Sequence, residues 1–148
     1  MAKRVKIVFT GFEELLEDIE KAGGEIKPAV ETALQESINL IDADIRAGAV
    51  ARGLGTAQMI TPQVKWEHDK ATAEAGFKLG NYDPDNPNDG YLALFKEYGT
   101  AQRSTADGEN RGRITADPWI RQAQEQNAAQ IKRTQKNALN KILGDLQK

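Results

Sequence analysis

The 148-residue chain is one domain's worth of sequence, with 39% hydrophobic and 28% charged residues, so a real core is expected under a largely polar surface. It has no cysteine, which excludes a disulfide framework, a thiolate metal site and a Cys nucleophile, and its lone histidine, His68, excludes a multi-histidine metal centre. The net charge of −2 conceals an asymmetry: residues 11–45 hold ten acids against Lys21 and Lys27, whereas Arg111 to the end holds eight bases against Asp117, Glu125 and Asp145.

Val5, Ile7 and Phe9 alternate with Lys6 and Val8, the period of a short strand. Thr10 stands three residues before Glu13, the spacing of a capping box, and Phe12, Leu15, Leu16 and Ile19 then recur at helical steps. The pair Gly23-Gly24 ends that helix, and Pro28 suits the first turn of the next. Val30, Leu34, Ile38, Ile41 and Ile45 carry this second helix to about Gly48, with an acidic first half. The glycine-rich stretch 48–57 reads as a loop.

Two alternating runs follow. Val64, Trp66 and His68 form one, Ala73, Ala75, Phe77 and Leu79 the other, with a hairpin turn around Asp69-Lys70 and an edge position marked by Pro62. Residues 81–90 are almost wholly turn-forming and read as an exposed loop. Tyr91-Leu92-Ala93-Leu94-Phe95 fits either helical turns or a strand, and the polar, glycine-containing residues 99–116 read as a long mobile loop carrying Arg103, Arg111 and Arg113.

Asp117 at an N-cap and Pro118 at the first helical position open a C-terminal helix running to about Leu143. Trp119, Ile120 and Ala123 could anchor its start on the core, and Leu139, Ile142, Leu143 and Leu146 make an apolar end. Residues 124–133 between them have almost no apolar face. Such a helix either crosses solvent, with its distal cluster meeting another subunit, or packs back over its own sheet. The expected whole is a single α+β domain: a small, mainly antiparallel sheet packed by the long helix, with an extended C-terminal helix. Its core spans about residues 3–100 and 116–125, and the C-terminal helix spans 117–148.

Chemistry is sparse. In a strand, Glu67 and Asp69 would point away from His68 and could not orient its ring, so a catalytic role is not expected. No phosphate-binding glycine loop, nucleophile elbow or zinc-protease motif occurs. The acidic loop from Asp83 fails the EF-hand pattern, with Pro87 at the fifth position and Leu94 at the twelfth. No enzyme, cofactor or metal site is expected. No apolar run approaches the ~20 residues of a membrane span, and the opening lacks the apolar stretch of a signal peptide. A soluble protein without a membrane partner, made in a cytoplasm, is the expectation.

Basic residues leave two candidate surfaces. Lys132, Arg133, Lys136 and Lys141 on the last helix, with the apolar Leu139, Ile142 and Leu143, could meet the acidic surface of a neighbouring subunit; the alternative is a set of solvated faces. Arg103, Arg111 and Arg113 could contact phosphates without sequence preference, although the pI of about 5.5 argues against an ordinary DNA-binding domain.

Tyr91 to Thr100, with Glu97, Tyr98, Gly99 and Thr100 at its end, is followed by Pro118, Trp119 and Ala123. This order resembles the small tail-component proteins of long-tailed bacteriophages, the tail-completion, neck or head–tail joining proteins. The opening, a basic strand followed by Thr10-Gly11-Phe12-Glu13-Glu14-Leu15-Leu16, is similar as well. The family often places Arg before the Pro, where this chain has Asp117, and its Thr-Gly-x-Leu signal is reduced here to Gly55-Thr56-Ala57-Gln58-Met59. The resemblance implies a structural virion protein at the head–tail junction, assembled in the host cytoplasm into a ring of six copies. It also implies neighbouring neck and tail proteins as partners. Alternatives within it are a tail terminator ring capping the tail tube, or a channel module whose arginine loop touches the genome DNA. Gly99, Pro118 and Trp119 read as a fold-holding corner.

Overall fold

The computed structural model describes residues 4–79, 89–99, 103–104, 110–112 and 115–148. The alternation at the N-terminus becomes β1 (Arg4–Val8), followed by α1 (Glu13–Lys21) and the 26-residue α2 (Ile26–Ala51). The hairpin is β2 (Val64–Glu67) and β3 (Lys70–Gly76). Then come α3 (Asp89–Tyr98), the short pair β4 (Arg103–Ser104) and β5 (Asn110–Gly112), α4 (Trp119–Gln126) and α5 (Ala128–Leu146). The fold is α+β.

Three strands form an antiparallel sheet in the order β1-β3-β2. The register sets Val5 opposite Ala75, Ile7 and Val64 opposite Ala73, and Trp66 opposite Ala71, so period two puts all of these on one face. Against that face α2 lays Leu34, Ile38, Ile41 and Ile45, all fully buried. Alanines on the central strand leave room for branched side chains on the helix, which lets the two layers approach closely. Each fully buried aliphatic side chain there contributes roughly 1.5–3 kcal/mol, making this stripe the main source of stability.

A neighbouring stripe of α2, Ala29 and Ala33, receives Ala138 and Leu139 of α5 together with Ile19 of α1, and Ile142 and Leu143 pack around this second cluster. Leu139 is therefore fully buried inside its own chain and is not free to reach another subunit, whereas Ile142 and Leu143 are half-buried and Leu146 is exposed. Small residues again explain the contact, since alanines on both helices permit close approach.

Several local expectations change. Thr10 does not cap α1. The N-cap position is Phe12, held left-handed at φ 64° after Gly11, and the helix has no side-chain cap. The turn seats the Phe12 ring 6.0 Å from Phe9 and beneath the Lys132 ammonium at 5.3 Å. His68 is not an inward strand residue: β2 stops at Glu67, and His68 takes φ 59° in the hairpin turn with Asp69.

Residues 91–95 resolve as helix, and α3 also takes in Asp89 and Gly90 from the expected loop, whose residues 81–88 lie outside the described set. The stretch 99–116 is more than a loop, because Arg103 pairs with Gly112 and Ser104 with Asn110; residues 100–102, 105–109 and 113–114, Thr100 and Arg113 among them, lie outside the described set. The C-terminal helix breaks at Asn127, whose Nδ2 donates to Ala123 O at 2.7 Å and to Asp44 Oδ2 at 2.6 Å, diverting it from one continuous helix into α4 and α5.

Candidate interaction surfaces

The motif residues that are far apart in sequence converge where α3 meets α4. Glu97, only 3% exposed, accepts hydrogen bonds from the backbone N–H of Ile120 (to Oε2, 2.9 Å) and of Arg121 (to Oε1, 2.9 Å). A carboxylate from another helix thus satisfies two of the orphan donors at the N-terminus of α4 and complements its dipole. Asp117 N–H donates to Lys96 O at 2.7 Å, closing the two ends of the excursion 100–114 against each other. Gly99, at φ 76°, ends α3 with its N–H on Phe95 O, a backbone setting that a Cβ would strain.

Asp117 is not the helix cap; Pro118 occupies the N-cap position and α4 begins at Trp119. The Asp117 carboxylate instead takes a bidentate pair from Arg52 at the end of α2, Nε to Oδ2 at 2.6 Å and Nη2 to Oδ1 at 2.9 Å. The hydrogen bond from Arg52 holds the Asp117 carboxyl below its usual range, and that same bond raises the Arg52 guanidinium. Arg52 also bonds Gly48 O at 3.0 Å and lies over the Trp119 ring at 4.7 Å.

The Trp119 indole donates to Ile45 O at 3.3 Å and meets Phe77 edge-on at 6.5 Å. A Cβ on Gly48 would fall inside this indole, so the small residue is required there. Trp119 is buried, as the corner reading expected, while Tyr98 is exposed. Arg52 carries the junction and was not singled out from sequence. Its signal, a lone arginine closing the long apolar helix, points equally to an ordinary C-terminal cation.

The basic C-terminal surface is partly committed within the chain. Lys132 donates to Thr10 O at 2.7 Å and Thr10 Oγ1 at 3.3 Å, and Arg133 donates to Gln130 Oε1 at 3.1 Å. Lys136 lines a shallow groove with Glu13, Glu14 and Asp18 of α1, which places base and acid along one groove of the same chain without an ion pair between them. Lys136 and Lys141 remain exposed. Of the three arginines, Arg103 and Arg111 fall on the two-stranded ribbon.

A surface that sequence reasoning did not single out is the outer face of the sheet. The register that turns Val5 and Ile7 inward turns Arg4, Lys6 and Val8 outward, beside Glu74 and Thr72 of β3 and Lys65 and Glu67 of β2. Two diagonal ion pairs cross it, Arg4 Nη1 to Glu74 Oε2 at 3.2 Å and Lys6 Nζ to Glu67 Oε1 at 2.9 Å. The Lys6 hydrogen bond, with a smaller contribution from the charge of Lys65, holds the Glu67 carboxyl below its usual range.

Among the described residues, no group of acidic or histidine side chains is arranged to hold a metal ion, and no helix is long and apolar enough to cross a membrane. Comparison with protein-family models, with curated proteins and with solved structures finds no match for this chain.

Proposed function

We propose that this chain is a structural protein of a tailed-phage virion, forming a ring of six copies at the head–tail junction and joining the tail to the DNA-filled head. The observation that carries the reading is the α3–α4 junction. The two short segments on which the resemblance to tail-component proteins rests, Glu97 to Gly99 and Pro118-Trp119, lock onto each other through the Glu97 carboxylate. They hold together the residues that flank the arginine-bearing stretch 100–114, with Asp117 N–H on Lys96 O, and in this reading the junction is the rigid body from which that stretch departs. Closed rings need unlike surfaces meeting head to tail, and the uneven charge along the chain supplies such surfaces. In this reading the protein acts by shape and contact, and His68, exposed in the hairpin turn, has no chemical role.

Gold-labelled antibody against the chain should mark one site between head and tail of particles whose genome encodes it. Unlabelled particles would overturn the proposal, and label at the upper end of free tails would move the ring to the tail terminus. The placement of Arg103 on β4 and Arg111 on β5 of one two-stranded ribbon favours a second reading, contact with the DNA that passes through the ring. Salt-sensitive binding of duplex DNA, lost when Arg103, Arg111 and Arg113 are replaced by Ala, is the outcome this reading requires.

A further inference from the structure

We infer that the outer face of the sheet is the seat for helix α1 of a second copy of this chain. The inference rests on the ring reading and names the surfaces that would form it. Among the described residues, no element covers this face, although it carries the exposed Val8 at 39% and a depression floored by the buried Thr72. Its two acids, Glu74 and Glu67, are each held by a cation of the same face, Arg4 and Lys6. Lys65 and Lys78 line the same depression, are exposed, and make no ion pair among the described residues. The face therefore offers unspent positive charge around a small apolar and hydroxyl floor.

The complementary surface is α1. Glu13, Glu14, Glu17, Asp18 and Glu20 are all exposed against the single Lys21, and none makes an ion pair among the described residues. α1 rests on α2 and α5, on the helical side of the molecule, whereas the sheet's outer face looks away from α2. Unlike charges on different sides of one body favour head-to-tail association, the geometry that closes into a ring. Lys136 borders the groove beside Glu13, Glu14 and Asp18 without pairing with them, so the carboxylates of α1 are available to a neighbour.

The test uses the whole chain at low salt, with sedimentation to read association and zero-length carboxyl–amine cross-linking to locate it. Cross-links should join Lys65 or Lys78 to Glu13, Glu14 or Glu17 of another copy. Lys65→Glu with Lys78→Glu should weaken association by about ten-fold or more, and Glu14→Lys with Glu17→Lys should do the same. A chain carrying all four reversals should regain it, which mere misfolding would not allow. Unchanged association in either double variant, no recovery in the quadruple, cross-links confined to other surfaces, or a wild-type chain that stays monomeric would overturn the inference. The ring reading fails separately: particles that lack the chain refute the virion role even if these surfaces associate, and a labelled neck with indifferent charge variants refutes only the surfaces.

Discussion

The junction between α3 and α4 and the seam between α2 and α5 are both helix contacts, yet they are held by opposite means. At the junction, both Glu97 oxygens, the Arg52 guanidinium, the Asp117 carboxylate and the Trp119 indole N–H have partners. At the seam, alanines and Leu139 supply apolar contact, and the one buried polar pair is incomplete. Gln135 Nε2 donates to Ser37 Oγ at 3.2 Å, while Gln135 Oε1, in a residue 1% exposed, has no partner in the protein. The difference separates two tasks. The junction fixes a direction, because hydrogen bonds and a bidentate ion pair tolerate one geometry; the seam buries area, which tolerates several.

Substitutions can break that contrast. Trp119→Ala removes the largest side chain of the junction and strands Arg52 without its ring, and it should cost about 3–5 kcal/mol in urea unfolding. A loss under about 1 kcal/mol would mean the indole is not the anchor. Glu97→Ala leaves two N–H groups at a helix start without their acceptor and should cost roughly 1–3 kcal/mol. Glu97→Gln keeps one acceptor and should lose less; equal losses would show that the hydrogen bonds to α4 do not matter.

Smaller effects follow at the surface of the junction and in the seam. Asp117 is 48% exposed, so solvent screens its pair with Arg52, and Asp117→Asn should cost below about 1 kcal/mol. Because folding lowers the Asp117 pKa, its contribution is complete above about pH 4 and fades as the pH falls through the depressed folded value. An acid titration of stability should therefore lose one such step in Asp117→Asn, and an identical profile would contradict the assignment. Gln135→Leu removes the orphan acceptor while Ser37 keeps its bond to Leu34 O, so stability should stay within about 1 kcal/mol of wild type or rise. A large loss there would show that the seam, like the junction, is set by polar geometry.

The same contrast governs what could be read in the sequence. The strand at Val5–Phe9, helices α1 and α2 and the hairpin were legible because burial on one face leaves a period, and the helical steps from Val30 to Ile45 map directly onto the sheet. Capping was not. Thr10 and Asp117 have the right side chains beside helix starts, but Lys132 and Arg52, distant in sequence, compete for them. The true cap of α4 lies 23 residues earlier, at Glu97, and no local pattern announces a carboxylate delivered across that span. Asn127 breaks the last helix without glycine or proline, so periodicity runs through it. The charge asymmetry was visible, whereas the placement of Lys136 beside the acids of α1 depends on packing. The open sheet face went unnoticed because its charges are scattered over three strands and gather only through register.

The most direct measurement is the native mass of the intact chain at low salt and high concentration. The account requires a discrete assembly, six times 16.3 kDa, that falls apart as salt rises. A species that stays at 16.3 kDa across that range would contradict it.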